Sequence, residues 1–490
     1  MVLISKSSYL NGLQCSKYLW TSFNQRDLIP KPSSGAKFKF EQGHQIGNLA
    51  KELFPRGIEV PYFDNKINAE DTMKLLSKRI PLFEAGFISG HTYARVDILN
   101  PVGRNQWDVI EVKSATSIKD VNLADVSFQK YCLEKAGLKV RKYLILHVNN
   151  KYLKKGKINP KKFFVKTDIT KDVKAIIGVE ENVAKMLQVI SYPKCPDVSI
   201  GTYCSDPYDC PLTDHCWKFL PEHSVFELYR GGKRLFELFN TGIVKITDVP
   251  EDFKLSDKQL IQKKCESTGK PHIEKEEIKK FLDSIKYPAY YMDFETINPA
   301  IPIFNGMKPY QRIPFQFSLH IQDSPNSELK HLSYITDGRH DPRIEFLDIL
   351  KGGLGDKGSI IVHNQTFEKG MLKELGEAYP KYRKWVEAIN ERIIDQLVPF
   401  SNFYYYDRKQ KGSASIKNIL PALTGKSHKE LDITNGEDAS LTFMEITYTD
   451  VTPEYKEKKR EHLEKYCGLD TEAMVFIIDK LRKSILSSNH

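Results

Sequence analysis

Residues 289–297 read AYYMDFETI, an apolar run that carries Asp293 and Glu295 two positions apart. Side chains along a strand alternate between faces, so both carboxylates project from one side, close enough to share a cation. Two ionised acids at that spacing repel, and a divalent metal is the usual remedy. Strand patterns recur nearby, in IPFQFSLHI (313–321) and SIIVHN (359–364), and a long charged helix is expected from about 454 to 484. Strands alternating with helices make this half of the chain α/β.

Two further stretches supply acids. SIIVHNQTFEKGMLKEL (359–375) reads as a strand ending at a helix, with His363 and Asn364 at the strand's end and Glu368 in the helix's first turn. EHLEKYCGLDTEAM (461–474) reads as helix, and Tyr466 and Asp470, four apart, share a face. A single Asp-x-Glu is most often a solvated strand edge; three acidic motifs in order reverse those odds. Together they resemble the DnaQ-like, or DEDD-type, exonucleases of the RNase H-like fold. In that family the first motif is Asp-x-Glu (here Asp293-Phe294-Glu295), the second His-Asn-x-x-Phe-Asp (here His363 to Glu368), and the third, in one branch, Tyr-x-x-x-Asp (here Tyr466 and Asp470). RIIDQLVPF (392–400) matches the strand after the second motif, and GSASIKNILPAL (412–423) the helix that follows. Glu368 stands where most of the family has aspartate, which makes Asp395 a fallback acid. The resemblance implies two Mg²⁺ or Mn²⁺ ions about 3.5–4 Å apart, held by Asp293, Glu295, Glu368 and Asp470, with Tyr466 orienting or deprotonating the attacking water.

Working outward, 490 residues exceed one ordinary core, and two or three domains are expected. Hydrophobic residues at 40% and charged residues at 28% exclude a disordered or membrane-embedded chain. The first fifteen residues break their apolar run at Lys6, Ser7 and Ser8, unlike a signal peptide, so the expected location is the cytoplasm, with no membrane partner. Lys and Arg (73) exceed Asp and Glu (63), a net +10 that suits a nucleic-acid partner without requiring one.

In the N-terminal half, TYARVDIL (92–99) and QWDVIEVKSATSIKD (106–120) give Asp97 followed by Glu111-Val112-Lys113. Glu111 and Lys113 share a strand face. An acid on one strand and Glu-x-Lys on the next suit phosphodiester hydrolysis: Asp97 and Glu111 hold Mg²⁺, and the lysine orients or helps deprotonate the water and stabilises developing charge. This resembles the PD-(D/E)XK nuclease core, in particular the RecB-like branch that includes CRISPR-associated nucleases with an iron–sulfur cluster. The helix LADVSFQKYCLEKAG (123–137) presents Gln129 in the position of that branch's helical glutamine. Tyr131 stands near, not at, the branch's tyrosine position, and His44 is offset from its early histidine, where Gly47 falls.

Eight cysteines in a chain of this size are better read as thiols or ligands than as disulfides. Cys204, Cys210 and Cys216 follow one another with five residues between successive members, and Cys15 lies near the start. In the RecB-like nucleases one leading and three trailing cysteines hold a [4Fe–4S] cluster, which the resemblance assigns to Cys15, Cys204, Cys210 and Cys216, with Cys195 as a substitute ligand. Zinc and unliganded thiols are the alternatives, although the short Cys-x₂₋₄-Cys pairs of structural zinc are missing. The lysines of NNKYLKKGKINPKKFFVK (149–166), with Tyr152, Phe163 and Phe164 interleaved, could track a phosphate backbone and stack bases, or form a solvated hairpin. The loop NPAIPIFNGMKPYQR (298–312) could position a strand end or serve as rigid packing.

The expected architecture is α/β throughout. Residues 1–220 form a PD-(D/E)XK, restriction-endonuclease-like domain, 221–285 a helical connector, and 286–490 an RNase H-like, DnaQ-like exonuclease domain. The whole also resembles an uncharacterised bacterial family that fuses both halves. The expected function is a metal-dependent nuclease on DNA or RNA with 3′-to-5′ exonuclease action; the alternative is a nucleic-acid-binding protein whose N-terminal half has decayed into a scaffold. DNA against RNA, and oligomeric state, stay open.

Overall fold

The β-branched and aromatic runs of the sequence form two mixed sheets in a computed structural model that describes residues 2–486. The chain divides into two units, 1–219 with 299–311, and 220–298 with 312–490. The expected connector thus groups with the second unit, where Val225, Leu228, Leu235, Leu238 and Ile246 make a small core of their own.

In the first unit the strands are β1 (Ile4–Ser5), β2 (Ile58–Glu59), β3 (Leu82–Ser89), β4 (Thr92–Val102), β5 (Gln106–Lys113), β6 (Val140–Val148) and β7 (Phe164–Asp168). Their order is β2-β3-β4-β5-β6-β7, with β1 parallel to β4. The longer helices are α1 (Lys6–Gln14), α2 (Ser16–Asn24), α3 (Ser34–Lys51), α4 (Asn65–Leu76), α5 (Asp120–Lys135) and α6 (Val179–Ile190). Burial explains the layers. Val109, Tyr143 and Ile145 pack with Val126 and Phe128 of α5, while Ile98, Ile110, Leu144 and Leu146 pack with Ile46 and Ala50 of α3. Residues 299–311 add Ala300, Ile301 and Tyr310 to this second layer. That segment is fastened by Met307 O accepting from Lys154 N at 3.0 Å and by Tyr310 Oη donating to Ser114 O at 2.6 Å.

The second unit's larger sheet contains β8 (Ala289–Ile297), β9 (Ile313–Gln322), β10 (Leu329–Ile335), β11 (Ser359–Val362) and β12 (Ile393–Asp395). The order is β10-β9-β8-β11-β12: the first three run antiparallel, and β11 and β12 run parallel to β8. Helices α7 (Asp257–Thr268) and α8 (Lys275–Asp283) precede the sheet; α9 (Arg343–Gly353), α10 (Gln365–Ala378), α11 (Ile416–Thr424), α12 (Gly436–Tyr448) and α13 (Pro453–Leu486) accompany it. Tyr290, Met292 and Phe294 of β8 pack with α9 and α10, whereas Tyr291 packs with Met474, Ile477 and Ile478 of α13. Asp293 and Glu295 share the parity of Tyr291, so the pleat turns them to the α13 side. Among the described residues no helix is long and apolar enough to cross a membrane.

Candidate functional site

Helix α13 completes what β8 begins. Asp293, Glu295 and Asp470 each offer a carboxylate oxygen within 4.8 Å of the other two. Glu295 and Asp470 are buried, and Glu368, in the first turn of α10, is 2% exposed. Burial, then the neighbouring acids, pushes Asp293 and Glu295 well above the usual carboxylate range. Burial and the Asp293 charge push Glu368 up to about 9. Glu368 lies outside the close trio yet near enough to feel Asp293, as the longer side chain at that position allows. Such a group binds protons unless a cation displaces them, which is the chemistry of a metal site. Burial and the three carboxylates also raise the Tyr466 hydroxyl far above its ordinary value, so it stays protonated and able to donate.

Asp395, the fallback acid, is engaged by the backbone. Its carboxylate accepts from the backbone of Asn364 (3.0 Å), Gln365 (3.1 Å) and Leu397 (2.9 Å), which fixes the turn into α10. Asn364 sits there at φ 91°, a conformation asparagine tolerates better than most residues. His363 donates to or accepts nothing from the acids; its Nε2 lies 3.0 Å from Ala414 O.

Three site residues escaped the sequence reading. His428 is 4% exposed, and its Nε2 lies 2.9 Å from Asp470 Oδ1, although neither atom makes a hydrogen bond. Lys417 of α11 lies 5.4 Å from the centre of the Tyr466 ring and draws the Asp293 and Glu295 ionisations downward. Cys467 places Sγ 3.7 Å from Asp293 Oδ2. Lys417 and Cys467 sit inside quoted motifs; His428 has no spacing signal at all.

In the first unit Asp97, Glu111, Lys113 and Gln129 do converge. Lys113 Nζ donates to Glu111 Oε1 at 2.7 Å and to Asp125 Oδ2 at 2.7 Å, and Gln129 Nε2 donates to Glu111 Oε2 at 2.7 Å. Asp97 Oδ2 accepts from Val112 N at 2.7 Å. Lys6 and Asp125 are additions: Lys6 Nζ donates to Glu111 Oε1 at 2.7 Å. Although Glu111 is fully buried, the two lysines hold it well below the carboxylate range, while burial and then Glu111 raise Asp97 to about 7. A cavity of about 660 Å³ opens over these groups, lined also by His44, Gly47, Lys51 and Arg95.

Cys15, Cys204, Cys210 and Cys216 line one cavity of about 20 Å³. Cys15 is the extended break between α1 and α2, and Gln14 Nε2 donates to Tyr203 O (2.8 Å) and Tyr208 O (2.6 Å), tying the leading helices to the trailing loop. Burial and the neighbouring thiols raise Cys210 to about 11. Cys195 is close enough to Cys216 to influence it. The base-stacking expectation for residues 149–166 is corrected: Tyr152, Phe163 and Phe164 are core residues, with Tyr152 and Phe164 both packed edge-on against Phe163. The 298–312 loop is likewise packing, through Ala300 and Tyr310.

Residues 290–415, which carry Asp293, Glu295, Glu368 and Asp395, match a family described as "Domain of unknown function (DUF2779)". The chain is similar to "Uncharacterized protein MG366 homolog" of Mycoplasma pneumoniae, 25% identical over 218 residues, covering 41% of this chain and 33% of that protein. It is also similar to "Uncharacterized protein UU173" of Ureaplasma parvum serovar 3, 27% identical over 224 residues, covering 41% of this chain and 32% of that protein. The chain spans about a third of the length of these curated relatives.

Proposed function

We propose that the second unit is a metal-dependent phosphodiester hydrolase that trims nucleic acid from its 3′ end. The observation that carries this reading is the convergence of Asp293, Glu295 and Asp470, from strand and helix far apart in sequence, to within 4.8 Å of one another. The strand order, three antiparallel strands followed by two parallel ones, is compatible with the RNase H-like sheet that the motifs imply and supports the same reading. Buried carboxylates whose ionisation is disfavoured fit a divalent cation better than any neutral ligand. Asp293, Glu295 and Asp470, with Glu368 beside them, would hold Mg²⁺ or Mn²⁺, which when bound stabilises charge developing on phosphate oxygens. Tyr466, kept protonated, donates a hydrogen bond that orients the attacking water, and the Lys417 ammonium offers a counter-charge to the phosphate. The test is Mn²⁺-dependent degradation of DNA and RNA, single- and double-stranded, with each end blocked in turn. Trimming from free 3′ ends that vanishes in Asp293→Asn supports the proposal; trimming that survives in this variant overturns it.

For the first unit we propose a second, PD-(D/E)XK-type nuclease site, because Asp97, Glu111 and Lys113 line one cavity and Gln129 donates to Glu111 from beneath it. The scaffold alternative has its own support: both Glu111 oxygens are already engaged by Lys6, Lys113 and Gln129. Activity lost in Glu111→Gln alone, on any substrate of the panel, decides for the nuclease. At the cysteines we propose a [4Fe–4S] cluster. What supports a thiolate-bound metal group there is that Cys15, Cys204, Cys210 and Cys216, from the two ends of this unit, line one small cavity. Anaerobically purified protein should be brown with about four iron atoms per chain; colourless protein holding zinc refutes it.

A further inference from the structure

We infer that His428 is itself a metal ligand, binding through Nε2 to an ion shared with Asp470, and that it biases the site toward Mn²⁺ over Mg²⁺. This rests on the metal-dependent reading above. Two donors bound to one ion at about 2.1 Å in adjacent positions stand roughly 3 Å apart. His428 Nε2 and Asp470 Oδ1 are 2.9 Å apart. A proton shared between them would place the ring N–H along the line to the oxygen, yet neither atom forms a hydrogen bond. Two donors that stand this close without a hydrogen bond between them are what adjacent ligands look like. Both side chains are buried, His428 at 4% and Asp470 at 6% exposure, so water does not explain why these two atoms make no hydrogen bond.

The local chain builds this placement. Ser427 Oγ accepts from Lys429 N, closing a tight turn that turns the imidazole inward, where the Tyr466 ring packs edge-on at 5.9 Å. His428 stands outside the mutual trio of carboxylates, so it adds a donor beside Asp470 without replacing any of them. Imidazole suits transition metals, whereas Mg²⁺ prefers oxygen alone. A carboxylate set with one imidazole therefore takes Mn²⁺ in preference.

Pulsed EPR of the full chain loaded with Mn²⁺ tests this. The expected result is nuclear modulation from a directly bound ¹⁴N that changes when histidine is supplied as ¹⁵N and is lost in His428→Gln. Mn²⁺ affinity should fall roughly tenfold in that variant, with Mg²⁺ affinity changed far less. Circular dichroism checks that the variant folds, with His428→Asn as the second choice. The labelled wild-type spectrum is decisive without either. Bound Mn²⁺ with no histidine nitrogen, or modulation that persists in His428→Gln, overturns the inference and leaves the carboxylate site standing. Failure to bind Mn²⁺ at all overturns both.

Discussion

Asp293 and Glu295, whose ionisation burial disfavours, weaken the metal-free fold and are held in place by the strand that carries them. Replacing Asp293 by asparagine removes a carboxyl that the metal-free fold keeps only by holding a proton the unfolded chain would release. The metal-free variant should therefore be more stable than wild type, by on the order of 1 kcal/mol, while losing Mn²⁺ binding. Thermal melts with and without Mn²⁺ read both effects, and a variant destabilised without metal contradicts the account. The first unit gives a pH-dependent counterpart. Asp97, raised to about 7, keeps a proton in the folded state that the unfolded chain releases near 4. Between those values the folded form binds more protons, so Asp97 makes stability fall as pH rises through the window, and its own contribution levels off above about 7. Glu111 is already ionised there and does not reverse the sign. The melting temperature of metal-free protein should drop from pH 5 to pH 7, and Asp97→Asn should flatten that slope. Most of the acids involved were legible because strand alternation and helical spacing place pairs without any tertiary information. His428 and Lys6 were not, since each reaches its site from an element with no periodic relation to the acids.

Among the elements, α10 depends on a residue that a motif reading treats as a possible ligand. Asp395 satisfies two of the backbone donors left open at that helix's start, and a third at Leu397. Asp395→Ala should cost about 1–2 kcal/mol, as loss of a helix cap does, seen as a shift in the urea midpoint. Because Glu368 rides on the first turn of α10, the same change should also weaken Mn²⁺ binding, whereas Asp395→Asn, which can still accept, should retain most of it. Strand and helix identities around the acids were legible from apolar pattern and capping chemistry. What the pattern left open was whether an aromatic faces water or core. In residues 149–166 lysines alternate with rings along the chain, and only the packing of Tyr152 and Phe163 beneath β5 and β6 shows that the rings are interior. The cysteine spacing likewise indicated a site, but convergence with Cys15 required the α1–α2 break to meet the trailing loop.

At the level of the whole molecule, the first unit is not a continuous stretch of chain. Residues 299–311 complete it, although the strands on either side, β8 and β9, belong to the second unit. A boundary at 220 drawn from composition therefore omits a piece of core, because no local pattern marks a thirteen-residue loop as belonging to a sheet far upstream. Ala300 is buried, and Ile301 and Tyr310 pack beside it against the layer formed by Ile46, Ile98 and Leu146. Tyr310 also donates to Ser114 O, one residue beyond Lys113, so the loop braces the end of β5 that carries the Glu-x-Lys pair. Removing these apolar contacts should cost about 3–5 kcal/mol, given ~1.5–3 kcal/mol for each large side chain withdrawn from water. A fragment ending at residue 219 should accordingly melt well below the corresponding transition of the full chain and bind apolar dyes. Adding the 299–311 peptide in trans, or fusing it through a flexible linker, should restore part of the difference. Tyr310→Ala in the full chain isolates the brace: it should lower the stability of this unit and disturb Lys113 while leaving Mn²⁺ binding at Asp293 unchanged. Equal stability of the fragment and the full-length unit would mean that the loop only rests on that surface.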